Sequence, residues 1–316
     1  MHAMIIETFG STDQLKMVDL PTPEPLEDEV QIRVVDAGVN PVDWKICEGK
    51  LQGFMPHEFP LILGFDAAGI VTKVGKNVRD FEIGDEVFAD CGKPVVKWGA
   101  YAEYVCVGAK GVALKPKKCS FAQAAALPIA SLTAWQALFD HARLKRGQTI
   151  LIHAGAGGVG GMAIELAKWK GARVLTTAST ANHLYVKDLG AEAAIDYQKE
   201  DIVAKIKALA PEGVDVVLDT VGGQTLRDSL LLVKPKGVVV SIVENLELAE
   251  IKAHKIKFHH FFCRPDGKQL DKIAELIDDG QIVPPPVEEI PFEEARRALD
   301  KSRAMHTRGK IVLKMS

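Results

Sequence analysis

Two textures divide the chain. Through the first third, apolar and polar residues alternate, as at Val30, Ile32 and Val34, which predicts half-buried strands. The runs 69–75 and 84–88 predict two more, and Pro21, Pro23 and Pro25 mark an exposed connection that no central strand would tolerate. These short strands predict a compact antiparallel barrel. From about residue 120 the pattern changes to helix-length segments separated by short apolar runs. Helices are predicted over 121–127, 132–142 and 162–170, and strands over 149–153, 173–177, 193–195, 214–218, 237–242 and 256–262. Strands spaced in this way form βαβ units and a parallel sheet. The tail, with helical patterns at 269–278 and 292–301 and a strand at 310–313, cannot extend that sheet in an obvious way and is expected to return to the first domain. The domains expected are therefore 1–120, completed by 264–316, and 121–263.

One junction carries chemistry. The apolar strand Ile150-Leu151-Ile152 runs straight into a G-x-G-x-x-G turn, Gly155, Gly157 and Gly160, and a helical pattern follows. A flexible loop would share the glycines but not the strand before them and the helix after. Gly155 permits a tight turn, Gly157 lets backbone approach a phosphate, Gly160 lets the helix pack closely, and the helix N-terminus offers free N–H groups to an anion. The turn is thus read as a dinucleotide site, with Ala156, Gly157, Gly158 and Val159 against the pyrophosphate. The second strand ends Thr176-Thr177-Ala178-Ser179-Thr180, without the acid that binds a ribose 2′-hydroxyl in NAD sites. Hydroxyls can donate to a 2′-phosphate that a carboxylate would repel, so the cofactor read from these residues is NADPH. Ser179 is the chosen donor, though it equally suits the cap of the following helix. Tyr197 is the second contact, with Asn182, His183 and Lys187 within reach, while His153 is read as a packed residue.

Composition narrows the partners. A formal charge of -3, 47% apolar residues and no basic run argue against a nucleic-acid binder. No signal-peptide core opens the chain and no apolar run reaches the roughly 18 residues needed to span a bilayer, so a cytoplasmic protein is expected. Cysteines at 47, 91, 106, 119 and 263 form no C-x-x-C pair, and Cys47 is read first as a packing residue.

The motifs Gly38-Val39-Asn40-Pro41-Val42-Asp43, Gly64-Phe65-Asp66-Ala67-Ala68-Gly69, Gly84-Asp85-Glu86-Val87, Gly99-Ala100-Tyr101-Ala102-Glu103-Tyr104 and the glycine turn occur in the order found in the medium-chain dehydrogenase/reductase superfamily. The chain resembles that superfamily over essentially its full length, and within it the quinone oxidoreductase branch, close to plant-type 2-alkenal reductases and enone oxidoreductases. The resemblance implies an α/β protein, with a GroES-like β-barrel catalytic domain plus a Rossmann doubly wound parallel sheet domain. It also implies an active site in the cleft between the two. Zinc alcohol dehydrogenases of the superfamily ligate metal with a Cys, a His-Glu pair and a second Cys; this chain has Asn40, Phe65-Asp66 and the apolar 128–130 region there. Phenylalanine cannot bind zinc, so no metal is expected and the reaction must do without a Lewis acid.

Reduction of an electron-poor C=C bond conjugated to a carbonyl, or of a quinone, meets that condition. The protein must then supply orientation, a donor for the developing oxyanion and a dry pocket. The catalytic candidates are Lys45, Asn40 and Asp43. Relatives often carry Tyr where this chain has Lys45, while plant alkenal reductases resemble it in having Lys there. A solvated surface lysine on a short helix is an equal reading. Asn40 and Asp43 are expected to orient the loop and the nicotinamide ribose, and Thr133 to contact the nicotinamide side. Trp44, Phe54, Met55, Phe261 and Phe262 suit either a pocket wall or a core. An NADPH-binding regulatory or structural protein with weak or no catalysis is the alternative. The natural acceptor, one- against two-electron chemistry, and monomer against homodimer stay open.

Overall fold

Alternation along Glu29–Val39 resolves into the strand on which the first half of the molecule is hung: Val30, Ile32 and Val34 are buried while Arg33 is exposed. The computed structural model describes residues 1–315, and the chain separates into two units, Met1–Leu132 with Arg264–Ser316, and Thr133–Cys263.

In the first unit a seven-stranded sheet runs Val287–Pro291, Lys310–Lys314, Glu29–Val39, Asp66–Val74, Glu86–Asp90 and Val112–Leu114, with Tyr104–Gly108 also pairing to Glu29–Val39. A four-stranded sheet of Lys16–Asp19, His2–Ile6, His57–Ile62 and Val96–Trp98 completes it. Most neighbours are antiparallel, but His57–Ile62 with Val96–Trp98 and Val287–Pro291 with Lys310–Lys314 are parallel, which the short-range pattern did not reveal. Ile6, Ile32, Ile46, Leu61 and Tyr101 are among the fully buried side chains at the centre of this unit.

Register decides which polar groups meet. Gly38 pairs with Asp66, Asp66 with Asp90, and Ile311 with Val39, so Lys310 falls beside Asn40. Gly38 must lack a side chain, because a Cβ there would lie 2.3 Å from Ala125 O and 2.8 Å from Asp66 Cβ.

The second unit is a six-stranded parallel sheet in the order Ala193–Ile195, Arg173–Thr177, Thr149–Ile152, Val214–Asp219, Val233–Ser241 and Lys257–His260. The order reverses between Thr149–Ile152 and Val214–Asp219, and open α/β sheets bind ligands beyond the strand ends at such a switch point. The helix expected at 132–142 is an α-helix, Pro128–Trp135, running into a π-helical turn, Gln136–His141. Among the described residues no helix is long and apolar enough to cross a membrane.

Gly38→Ala is expected to destabilise the protein by about 1–3 kcal/mol, the scale of an overpacked core, as measured by urea denaturation. An unchanged midpoint would show that the segment bearing Ala125 gives way without strain.

Candidate functional site

Asn40 ends one strand and starts the short helix Pro41–Cys47. Pro41 stands at the first helical position, where a missing N–H is no loss, and Asp43 Oδ2 accepts the Asn40 backbone N–H at 2.7 Å. The Asp43 N–H donates to Asn40 O at 3.0 Å, and the Asn40 side-chain amide reaches two charged groups. Its Nδ2 donates to Asp66 Oδ2 at 2.7 Å, and its Oδ1 accepts from Lys310 Nζ at 2.5 Å. Lys310 Nζ also donates to Val39 O at 2.9 Å and lies 3.4 Å from Asp66 Oδ2, while Asp66 Oδ1 accepts from Ile129 N at 2.8 Å. Tyr101 OH donates to Asp43 Oδ2 at 2.9 Å; Asp43 Oδ1 has no partner.

The polar side chains of this group are buried, Lys310 at 5% exposure and Asp43 and Asp66 at 0%. Burial pushes the Asp43 carboxyl up to about 7, against the Asn40 N–H and the Tyr101 hydroxyl, which favour its charged form. Asp90, with Asp66 as a like charge beside it, is likewise raised to about 7 by burial. Asp66 is also raised by burial, and the Lys310 ammonium and the Asn40 amide pull it back.

Lys45 lies on the same helix, half-buried. Among the described residues its ammonium makes no hydrogen bond or ion pair, and the Trp44 ring lies 5.8 Å away. Burial, and then the neighbouring Lys50, hold its pKa below the ordinary lysine value. Cys47 is buried, its Sγ faces Gly10 O and Ser11 O, and burial pushes the thiol up to about 11, so it packs and does not react. Trp44 and Met55 belong to the apolar core of this unit, whereas Phe54 is exposed.

The segments that the resemblance sets at zinc-ligand positions do meet, through Asn40, Asp66 and Ile129, but the donor set does not fit the metal. Both Asp66 oxygens are engaged, the Asn40 oxygen is taken, and a buried ammonium would repel a second cation. Phe65 packs against the core of the first unit.

In the second unit the glycine turn is constrained from two directions. A Cβ on Gly155 would lie 2.1 Å from Thr176 Oγ1, and one on Gly160 would lie 2.3 Å from Ala154 O, so these two are demanded by the chain's own packing. Gly155 thus serves close approach, while the positive φ of the turn, 51°, falls on Ala154. At Gly157 an added Cβ would meet only Ala154 O, at 3.5 Å. The fold's own packing does not require that glycine. Gly158–Trp169 begins there with Gly157 as its cap residue, and a helix N-terminus of this kind offers free N–H groups that could hold a phosphate. Ala156 is buried, Gly158 and Val159 are half-buried, and Thr133 is buried at the start of this unit.

His153 is locked below the turn by bonds whose direction can be read. Ser229 Oγ donates to Thr225 O at 2.6 Å and therefore accepts from His153 Nε2 at 2.8 Å. Thr177 Oγ1 accepts from Ala154 N at 3.0 Å and gives its proton to His153 Nδ1 at 3.2 Å. The ring is neutral, its pKa lowered to about 4 by burial. It holds the turn and does not exchange protons.

Ser179 occupies the cap position of the turn Thr180–Asn182 but makes no capping bond. Its Oγ accepts from Asn182 Nδ2 at 3.2 Å, so its proton is free to donate. His183 Nε2 lies 3.1 Å from Ala178 O, Lys187 is exposed, and Tyr197 is 47% exposed. An acid does stand nearby, at the end of the third strand. Asp196 takes hydrogen bonds from Thr180 Oγ1, from Thr180 N at 3.0 Å and from Gln198 N at 2.9 Å, which hold its pKa down at about 2, and Lys199 lies 3.7 Å away. Phe262 is 49% exposed. Sequence reasoning passed over Lys310, Tyr101 and Asp196 as site residues; the Gly99–Tyr104 motif was a signal for Tyr101, whereas nothing local marks the other two.

Two family patterns match the chain: the alcohol dehydrogenase GroES-like domain over residues 26–117 and the zinc-binding dehydrogenase over residues 189–313. The NADPH-dependent alkenal/one oxidoreductase, chloroplastic, of Arabidopsis thaliana is 35% identical, with 99% of this chain and 79% of that protein aligned. The structure of the quinone oxidoreductase from Coxiella burnetii is 37% identical with a TM-score of 0.90, over 100% of this chain and 99% of that one. The Escherichia coli quinone oxidoreductase complexed with NADPH is 28% identical with a TM-score of 0.90, over 99% of this chain and 100% of that one. With the GroES-like unit, the doubly wound parallel sheet and these likenesses together, the chain belongs to the medium-chain dehydrogenase/reductase superfamily, in its quinone oxidoreductase-like branch.

Proposed function

We propose that the protein is an NADPH-dependent reductase of C=C bonds conjugated to a carbonyl, and of quinones, working without a metal. The observation that carries this reading is Lys45, an ammonium group that is half-buried, over the Trp44 ring at 5.8 Å, without a hydrogen bond or ion pair among the described residues, and on the helix that the Asn40–Asp43 turn begins. The relatives named above point to the same substrate classes.

Held by the glycine turn at Gly157 and by Ser179, a bound nicotinamide dinucleotide would supply the hydride that the β-carbon of the acceptor takes up. The electron pair of the C=C bond moves toward the carbonyl, and negative charge collects on its oxygen as an enolate. Lys45 stabilises that oxygen as a charged donor in a partly desolvated place, where such an interaction is stronger than in water. A proton then reaches the α-carbon, from Lys45 or from water, and the saturated carbonyl leaves. Asn40 and Asp43 set the first turn of the helix that carries Lys45. For the nucleotide, the free Ser179 hydroxyl and the half-exposed Tyr197 support a 2′-phosphate, and the Asp196 charge, turned to Thr180 and met by Lys199, is not left to repel it.

NADPH should bind at least about tenfold more tightly than NADH, or about 1.4 kcal/mol, by fluorescence titration, and Ser179→Asp should reverse or abolish the difference. Equal affinities would remove the argument from the strand end.

Lys45→Met should lower kcat for an enone by roughly 10- to 1000-fold, the scale of one lost charged donor, with NADPH affinity nearly unchanged. Because the active form is the ammonium, kcat should fall as pH rises through the lowered Lys45 pKa, and this limb should be absent in the variant. Less than about a twofold loss with both an enone and a quinone would leave Lys45 a surface residue.

Metal analysis of the purified protein should find no stoichiometric zinc, and chelators should leave activity unchanged. One tightly held zinc per chain would overturn the metal-free chemistry.

A further inference from the structure

Lys310 is an unusual place for a charge. Its side chain is 6% exposed, it reaches the Asn40 turn across 270 positions of sequence, and neither the reaction nor the dinucleotide site described above uses it. An ammonium group has three N–H donors, and three acceptors surround this one: Val39 O at 2.9 Å, Asn40 Oδ1 at 2.5 Å and Asp66 Oδ2 at 3.4 Å. No donor is left over for a substrate, so Lys310 acts through its neighbours or not at all.

The neighbour that matters is the Asn40 amide. An asparagine side chain can turn end for end, exchanging its oxygen and its NH2. With Lys310 on one side and Asp66 on the other, the exchanged orientation would set NH2 against ammonium and carbonyl oxygen against carboxylate. Both contacts would be repulsive. The observed orientation, in which Oδ1 accepts from Lys310 and Nδ2 donates to Asp66 at 2.7 Å, is the one that the pair of opposite charges selects. The second Asn40 N–H is then fixed in direction as well. The backbone N–H of the same residue is held by Asp43, which in turn accepts from Tyr101, so the fixed amide and the first turn of the Lys45 helix form one connected assembly.

We propose that Lys310 is a positioning residue for the reaction, a fixed internal cation that sets the orientation of Asn40. The inference rests on the reductase reading above. It differs from a purely structural salt bridge in what it demands of Asn40.

The test compares Lys310→Met, Lys310→Arg and the double variant Lys310→Met/Asp66→Asn, each also in an Asn40→Ala background. Lys310→Met alone leaves the Asp66 carboxylate without its cation and can fail to fold; the double variant removes both charges together and keeps the question answerable. Thermal unfolding checks that each variant is folded. NADPH oxidation with an enone gives kcat, and hydrogen exchange of the Asn40 side-chain NH2, followed by nuclear magnetic resonance without substrate or cofactor, reports directly on the amide. The double variant is expected to fold, to lose at least about 30-fold in kcat, and to exchange the Asn40 amide protons much faster than wild type. Adding it to Asn40→Ala should lower kcat by less than about twofold further, because residues that act as a unit are not additive. A folded double variant with wild-type kcat, a fully additive loss in the Asn40→Ala background, or unchanged amide protection would each overturn the proposal. A wild-type protein inactive with every enone and quinone would instead overturn the reductase reading, and the amide exchange would still decide whether Lys310 holds Asn40.

Discussion

A charge placed inside a protein must be met by an opposite charge and by hydrogen bonds, or it is not tolerated. The Lys310 ammonium and the Asp66 carboxylate obey that constraint, and much of the first unit is arranged around it. Lys310 comes from the last strand, Asp66 from the strand two places away in the sheet, Asn40 from the end of the strand between them, and the Ile129 N–H from the start of a helix. Four segments distant in sequence are tied at one point. The register that brings them there, Ile311 on Val39 and Gly38 on Asp66, leaves no room for a side chain at Gly38.

The second unit solves a different problem by a related device. Its turn, in the nucleotide reading proposed above, presents backbone N–H groups to an anion and so cannot be filled with side chains. Two of its glycines are held by contacts within the chain, and Gly157 is left open by it. What keeps so bare a turn in shape is the line of bonds running from Ala154 N–H through Thr177 and His153 to Ser229 and Thr225. Each donor has one acceptor along that line, and the buried ring stays neutral. Because the turn is ordered before any ligand arrives, little ordering entropy is lost on binding.

Periodic and local features were readable in the amino-acid order. The parallel sheet was legible because its strands are short apolar runs between amphipathic helices, and 173–177 and 193–195 appear where the pattern put them. The glycine turn was legible because its steric demands fall within a few residues. Ser179 and Lys45 were picked out for the same reason, one at a strand end and the other in a motif, and the roles given to them are those proposed above. What escaped depends on register between distant segments. Lys310 opens the short strand Lys310–Lys314 ahead of the apolar run Ile311-Val312-Leu313, where a lysine reads as the solvated end of a strand, and only the pairing of that strand with Val39 makes it a buried partner of Asn40. Asp196 escaped similarly: the search for an acid followed the second strand, whereas the carboxylate that approaches Thr180 comes from the third. The mixed parallel and antiparallel pairing of the first unit is likewise a matter of topology, to which a period of two residues is blind.

The difference between the two lysines separates their roles. Lys310 has a charge of the right sign for an oxyanion, but its three donors point at three acceptors, so a substrate oxygen would have to displace one of them and leave a buried carbonyl or carboxylate unpaired. That is costly. Lys45 has the same charge, partly desolvated, and none of its donors is committed within the described residues. A metal ion with an open coordination position combines fixed charge and a free site in one group; in the readings proposed above, the two properties fall to separate lysines, one organising the turn and the other meeting the substrate. A fixed ammonium cannot lower the pKa of a bound water or take an alkoxide into its coordination shell as zinc does. It can still orient an amide and balance a carboxylate. Such a site suits acceptors whose electrons are already delocalised toward an oxygen, for which a nearby charge is enough.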